Sequence, residues 1–384
     1  MADLDKNYTL QSVNGTNGPE IAPEVITWIV IDSIIICLTL AGNILTICAI
    51  KLSKKISELL SNRYIFSLAV SDLLVGLTLP YHLAFTIDDY LGSHESTCIL
   101  RFVLIILACS SSIYNLLAIA ADRYIAIVLP FFYSRHMTRR VVWSIVFSGW
   151  CLSIGIASMP IYWNTYEPGK CTQDHVLPAQ YVNFIITPMF LSIWLAMSVL
   201  YMRIWREAAE HAKRLRTAAN FPGASAKQRK SLKENKSVQM VLLILGCFSL
   251  CWFPYFFVLT YMRLYNGRSL PEVYEAVFTL AVSNSWMNPL IYAWKSKNYR
   301  NAFWCLLKCK SPRNLNKEPN FITDHIPGDK SRKNNNPAER SSDNNLRIEI
   351  QLQEDFKQAK NGKNLDKQQE EMQHSDGTVT TCIN

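Results

Sequence analysis

Six polar side chains stand inside stretches of sequence that are otherwise apolar. Asp72 closes the run Ser67-Leu-Ala-Val-Ser-Asp72, Asn43 lies in an earlier stretch, Ser112 in a Ser-rich one, and Asn284, Ser285 and Asn288 in a late one. A carboxylate ringed by neutral oxygens suits a small hard cation such as Na⁺, or a proton. The same groups would also serve as hydrogen-bonded glue between helices, and the two roles are compatible. Asp32, eleven residues before Asn43, is a further carboxylate in apolar surroundings, and His82 is its expected partner. Such a pair would either join two helices or offer a polar anchor to a ligand, as the counter-ion of an amine. Asp122-Arg123-Tyr124 ends another apolar stretch, and Glu234 opens a later one. An Arg123–Glu234 bridge would pin two helices together and release one of them when broken. A snorkelling surface arginine is the plainer alternative.

These residues need long apolar elements to hold them. A helix crosses a bilayer with about 20 apolar residues. Seven stretches qualify: Val25–Ile50, Tyr64–Ile87, Ile99–Leu129, Val141–Trp163, Tyr181–Trp205, Val238–Met262 and Val273–Trp294. The fifth and sixth carry Pro188 and Pro254, which neighbouring helices can accommodate inside a membrane. The chain of 384 residues is 49% hydrophobic, yet its last 74 residues hold only 16 of that set. That division excludes an ordinary globular protein. The net charge of +9 is spread between the apolar runs and does not form the dense patch of a nucleic-acid binder.

The Lys and Arg residues after runs one, three and five outnumber those on the opposite side. The positive-inside rule therefore predicts an outside N-terminus and a cytoplasmic C-terminus. The sequons at Asn7 and Asn14 fit an extracellular, glycosylated segment over residues 1–24. No apolar stretch in the first 20 residues suggests a cleavable signal peptide, so run one is expected to act as its own insertion signal. Of the eleven cysteines, Cys98 and Cys171 fall on the oxidising side and are expected to pair. Cys305 and Cys309 lie just past the last run, where acylation is expected; for Cys305 a free, buried thiol is the alternative.

Two other classes fit less well. A transporter calls for internal repeats or matched broken helices, and none is evident. An enzyme calls for a nucleophile–base pair or metal ligands converging in the spans, and the intramembrane His and Cys residues lack that spacing.

Over about residues 25–310 the chain resembles the rhodopsin-like (class A) G-protein-coupled receptors. The matching motifs are Gly42-Asn43, Leu68-Ala69-Val70-Ser71-Asp72, Cys98, Asp122-Arg123-Tyr124, Trp150, Cys251-Trp252-Phe253-Pro254 and Asn288-Pro289-Leu290-Ile291-Tyr292. Tyr299-Arg300-Asn301-Ala302-Phe303 is similar to the family's amphipathic eighth helix. The resemblance implies an all-α membrane protein: a seven-transmembrane helix bundle over 25–294, a short helix 8 within 295–310, and a disordered cytoplasmic tail over 311–384. It implies activation roles for Asp122, Arg123, Tyr124, Tyr201, Pro289 and Tyr292, with Trp252 as a switch beneath the ligand. Asp72, Ser112, Asn284, Ser285 and Asn288 become an allosteric sodium site, and Glu234 becomes the partner of Arg123. Pro130 and Phe131 would meet a heterotrimeric G protein. The fifth run departs from the family: its proline normally lies eight residues before Tyr201, where Ile193 stands.

The ligand is less clear from the residues. Amine receptors of the family carry an aspartate seven residues beyond the outer cysteine, and Ile105 occupies that place. Val282 replaces the lysine that opsins need. The remaining pocket positions are Ile106, Cys109, Ile185, Ile186, Met189, Tyr255, Phe256, Leu259, Tyr274 and Phe278, an apolar and aromatic set suited to a compact lipophilic or flat ligand. Ser111 to Ile127 most resembles the adenosine receptors, although Leu259 and Gln173 replace their purine-holding residues. Met137-Thr138-Arg139-Arg140 and the run from Arg203 to Ala208 resemble insect dopamine/ecdysteroid receptors, and a lipid ligand is a further alternative. Arg229-Lys230-Ser231 reads as a basophilic kinase site, and the tail's Ser341, Ser342, Ser375, Thr378, Thr380 and Thr381 as receptor-kinase and arrestin sites.

Overall fold

The computed structural model describes residues 23–87, 89–219, 235–264 and 271–312. Asn7, Asn14, Glu234, the Arg229-Lys230-Ser231 site and the tail phosphorylation sites lie outside the described residues. Eight helices carry the architecture: α1 (Pro23–Leu52), α2 (Asn62–Ile87), α3 (Glu95–Val128), α4 (Arg139–Tyr162), α5 (Thr187–Ala219), α6 (Asn235–Leu264), α7 (Pro271–Lys295) and α8 (Lys297–Leu307). Six of the first seven are long and apolar enough to cross a membrane. The seventh, α7, has the length but carries Glu272, Glu275, Asn284 and Asn288, which lower its hydropathy. Helices suit lipid because each satisfies its backbone groups internally.

Burial is inverted relative to a water-soluble bundle. Ile34, Leu38, Phe147, Leu250 and Phe257 are exposed, whereas Asn43, Ser71, Asp72, Asn115, Asn284 and Asn288 are buried. In water such an apolar exterior would be an aggregation surface; around a bilayer-spanning bundle it is the lipid face. Helix α3 sits centrally and packs on α2, α4 and α5, while α7 packs on α1 and α6.

Individual residues fix these contacts. Gly149 lets α4 approach α3 closely, since a Cβ there would lie 2.1 Å from Tyr114 Cδ1. Beside it, Trp150 Nε1 donates to Ser67 Oγ at 3.1 Å, tying α4 to α2. Pro289 has no N–H, so the Ser285 carbonyl one turn earlier loses its helical partner. Asn43 Nδ2 donates to that carbonyl at 3.1 Å, which repairs the break and joins α1 to α7. A π-helical turn over Val182–Ile186 leads into α5. Pro188 explains it: the missing N–H and the bulk of the ring disfavour a normal turn there, and a wider one relieves both. The local distortion of the fifth span thus lies near Pro188 and not at Ile193.

Candidate functional site

The buried carboxylate of Asp72 on α2 is held from two helices. Ser112 Oγ of α3 donates to Oδ1 at 2.7 Å, and Asn288 Nδ2 of α7 donates to Oδ2 at 2.8 Å. Ser285 lies beside the same carboxylate. Asn284 is buried next to it in sequence without a hydrogen bond to Asp72, and Asn43 turns to the α7 backbone. One carboxylate and the Ser112 and Ser285 hydroxyls form an oxygen set that fits a small hard cation.

One end of the bundle is marked by Arg123. Its Nε lies 3.1 Å from Asp122 Oδ2, and its Nη2 bonds the same oxygen. Tyr133 donates to the other Asp122 oxygen at 3.0 Å. Burial, reinforced by the Asp122 charge, pushes the Tyr133 phenol up to about 12, so it stays a donor at neutral pH. Tyr133 is positioned by a short helix, Pro130–His136, with Pro130 in its first turn. Phe131 of that helix is 88% exposed. Arg203 Nη1 donates to Tyr124 at 3.4 Å. The Tyr201 and Tyr292 hydroxyls are buried without a hydrogen-bond partner among the described residues.

The other end is closed by a disulfide. Cys98 at the head of α3 bonds Cys171 of the loop before α5, the pairing expected from the sequence. That loop then places Gln173 over the bundle, where its Oε1 accepts from the Tyr255 hydroxyl at 3.0 Å and from Tyr274. Beneath lies an aromatic group: Trp252 and Tyr255 are in edge contact, Phe190 stacks on Phe256 at 3.8 Å, and Tyr274 stacks on Phe278. Ile105, Phe256, Leu259 and Phe278 are buried, and Ile106, Cys109, Ile185, Ile186 and Met189 are half-buried around the same cluster. The Trp252 indole N–H has no partner among the described residues.

The expected Asp32–His82 pair does not form. Asp32 Oδ1 accepts from Thr279 Oγ1 of α7 at 2.9 Å. His82 instead stacks on Phe278 at 4.7 Å and lies against the Arg101 guanidinium, at 3.0 Å from Nε. The stronger donor on α3 captures the imidazole, and the shorter reach from α1 ends at α7. Arg101, Glu275, Thr279 and Tyr133 are site residues that the sequence motifs do not single out. Arg101 stands three residues past Cys98, in the second turn of the spanning helix α3, and that placement was the available signal.

The sequence pattern of the 7 transmembrane receptor (rhodopsin family) matches residues 42–292, the segment holding the Asp72, Arg123, disulfide and aromatic groups just described, with Asp32 lying before it. The chain belongs to this family. The receptor is 31% identical to the histamine H2 receptor of Cavia porcellus over 297 residues, 74% of this chain and 80% of that one. It is 30% identical to the Homo sapiens histamine H2 receptor over 298 residues, with the same coverage. It is 29% identical to the Homo sapiens 5-hydroxytryptamine receptor 4 over 325 residues, 77% of this chain and 82% of that one. The receptor is therefore a multi-pass plasma-membrane protein that answers a small molecule and engages a G protein; it is not an enzyme.

Proposed function

We propose that the receptor recognises a small amine-bearing ligand at its disulfide end and activates a G protein through Arg123 at the other, with cyclic AMP as the readout. The carrying observation is a pair of half-buried carboxylates, Asp32 on α1 and Glu275 on α7, beside the aromatic cluster. Ile105 removes the α3 counter-ion that an amine would otherwise use, and these two carboxylates supply a replacement from neighbouring helices. The relatives named for histamine and 5-hydroxytryptamine, both amines, support this reading. The Lys and Arg distribution supports an extracellular N-terminus. Asp72, Ser112, Asn284, Ser285 and Asn288 would hold Na⁺, which would neutralise the buried carboxylate while Arg123 stays on Asp122. Receptor kinase and arrestin acting on the tail, and acylation at Cys305 or Cys309, complete the proposal; Cys309 is exposed and Cys305 half-buried.

The test is cyclic AMP in cells expressing the full chain. The probes are histamine, 5-hydroxytryptamine, dopamine and their parent amino acids, with adenosine and a 20-hydroxylated ecdysteroid alongside. A saturable response to an amine-bearing probe is expected, lost in Arg123→Ala at equal surface expression and right-shifted in Asp32→Asn. A response confined to adenosine or the ecdysteroid would overturn the amine reading and leave the receptor in place.

A further inference from the structure

Among the described residues Arg101 is a cation without an ion-pair partner. Its Nε lies 3.0 Å from His82 Nδ1 and its Nη2 lies 2.9 Å from His82 Nε2. A neutral imidazole has one acceptor nitrogen, so His82 satisfies only one of these contacts. Nη1 reaches the Cys171 carbonyl at 3.3 Å, which anchors the guanidinium to the disulfide loop. The guanidinium carbon lies 4.9 Å from the Phe85 ring centroid and 5.6 Å from that of Phe102. The charge is thus held rigidly on aromatic faces, half-buried, with donors to spare.

Opposite charges lie across the same end of the bundle. Phe278 stacks on His82, and the next residue, Thr279, bonds Asp32. Glu275, one turn earlier on α7, is within electrostatic reach of both Arg101 and Asp32. Asp32 has a neutral hydroxyl as its partner, and Glu275 takes part in no ion pair among the described residues. One fixed cation and two carboxylates therefore stand at the same end of the bundle, within electrostatic reach of one another and with no ion pair among them in the described residues.

We infer that Arg101 is a ligand-binding residue, and that the ligand is a zwitterionic amino acid. Its carboxylate docks on the Arg101 fork and its ammonium lies between Asp32 and Glu275. Guanidinium geometry favours two parallel hydrogen bonds to a carboxylate. The aromatic cluster beneath Gln173 receives a flat side chain. This inference rests on the amine reading above and adds the acid group to it.

Matched trios test it, applied in amino-acid-free buffer to cells expressing the full chain. They are L-histidine, histamine and imidazolepropionate; 5-hydroxytryptophan, 5-hydroxytryptamine and 5-hydroxyindolepropionate; and L-DOPA, dopamine and dihydroxyphenylpropionate. In at least one trio the amino acid is expected to be at least tenfold more potent than either partner. Arg101→Gln is expected to cost the amino acid roughly thirtyfold or more and to spare the amine. Asp32→Asn is expected to cost the amino acid and the amine and to spare the acid. Surface labelling controls for folding, and Arg101→Lys, which keeps the charge and loses the fork, replaces Arg101→Gln if that variant fails to reach the surface. An amine equal to or better than its amino acid overturns the inference while the amine reading stands. Equal losses for all members of a trio in the Arg101 variant make Arg101 a structural residue and overturn it as well. Silence to all nine probes overturns it too, and G-protein coupling is then judged separately from basal nucleotide exchange and its loss in Arg123→Ala.

Discussion

The two ends of the bundle handle charge in opposite ways. At the Arg123 end one ion pair closes on itself: Arg123 bonds Asp122, and the neutral Tyr133 hydroxyl donates to the second Asp122 oxygen. At the disulfide end Arg101, Asp32 and Glu275 share one region and none of them is ion-paired among the described residues. A closed set stores a switch that another protein can open. An open set leaves its charges to whatever enters, because an unpaired charge in a low-dielectric setting gains most from a partner. Asp72 lies between the two, its oxygens engaged by Ser112 and Asn288.

Substitutions can break or sharpen that contrast. The largest effect is expected from Cys98→Ser, which frees the loop carrying Gln173 and the Cys171 carbonyl that receives Arg101. It should lower stability by about 2–4 kcal/mol, read as lost surface expression and a reduced Tm in detergent. Gly149→Val tests the frame both ends share. It drives a side chain into Tyr114 and should cost about 1–3 kcal/mol by overpacking, measured by thermal unfolding, with no selective effect on either end. Asp122→Asn opens the closed end by weakening a charge-assisted bond worth about 1.5–3 kcal/mol. Basal nucleotide exchange on G protein should rise severalfold while ligand affinity falls little or not at all. Tyr133→Phe removes one hydrogen bond to the same carboxylate, worth about 1 kcal/mol, and should raise basal exchange by a smaller factor.

The smallest effect is expected at the surface pair Glu167–Lys170. The Lys170 ammonium, by hydrogen bond and charge, holds the exposed Glu167 carboxyl below its usual range. A depressed carboxylate contributes above its unfolded pKa and loses that contribution only as pH falls through its folded pKa. From pH 5 to pH 8 that contribution is constant, and at an exposed pair it is small, so Glu167→Gln should shift Tm by the same small decrement at every pH in that range, measured on the purified receptor.

How much of this was legible in the sequence follows the same division. The bundle and the closed end were readable because their residues act through neighbours in the chain or through motif positions. Asp122 and Arg123 are adjacent, Cys98 and Cys171 are the two cysteines on the oxidising side, and seven apolar runs announce the spans, the last of them least strongly. Helix α7 was readable through Asn288-Pro289-Leu290-Ile291-Tyr292 although its hydropathy is low. The disulfide end was not readable in the same way. His82 stood equally available to Asp32 and Arg101, and only the rotation of α1, α2, α3 and α7 about their axes decides between them. Asn43 illustrates the point from the other side. Its amide was expected near Asp72, but the carbonyl freed by Pro289 sits closer to α1 and takes it. Pro188 marked where the fifth span would be distorted but not the form, since Pro80, Pro160, Pro254 and Pro289 sit in helices without a π-turn among the described residues.

The most direct test of the account is nucleotide exchange on a panel of purified heterotrimeric G proteins, catalysed by the full chain in nanodiscs. Wild type, Asp122→Asn, Arg123→Ala and the double variant would be compared without ligand. The account predicts exchange above empty nanodiscs for wild type, a severalfold increase for Asp122→Asn, and loss of both on adding Arg123→Ala. Exchange indistinguishable from empty nanodiscs for wild type and Asp122→Asn on every heterotrimer, with the protein folded, would contradict it.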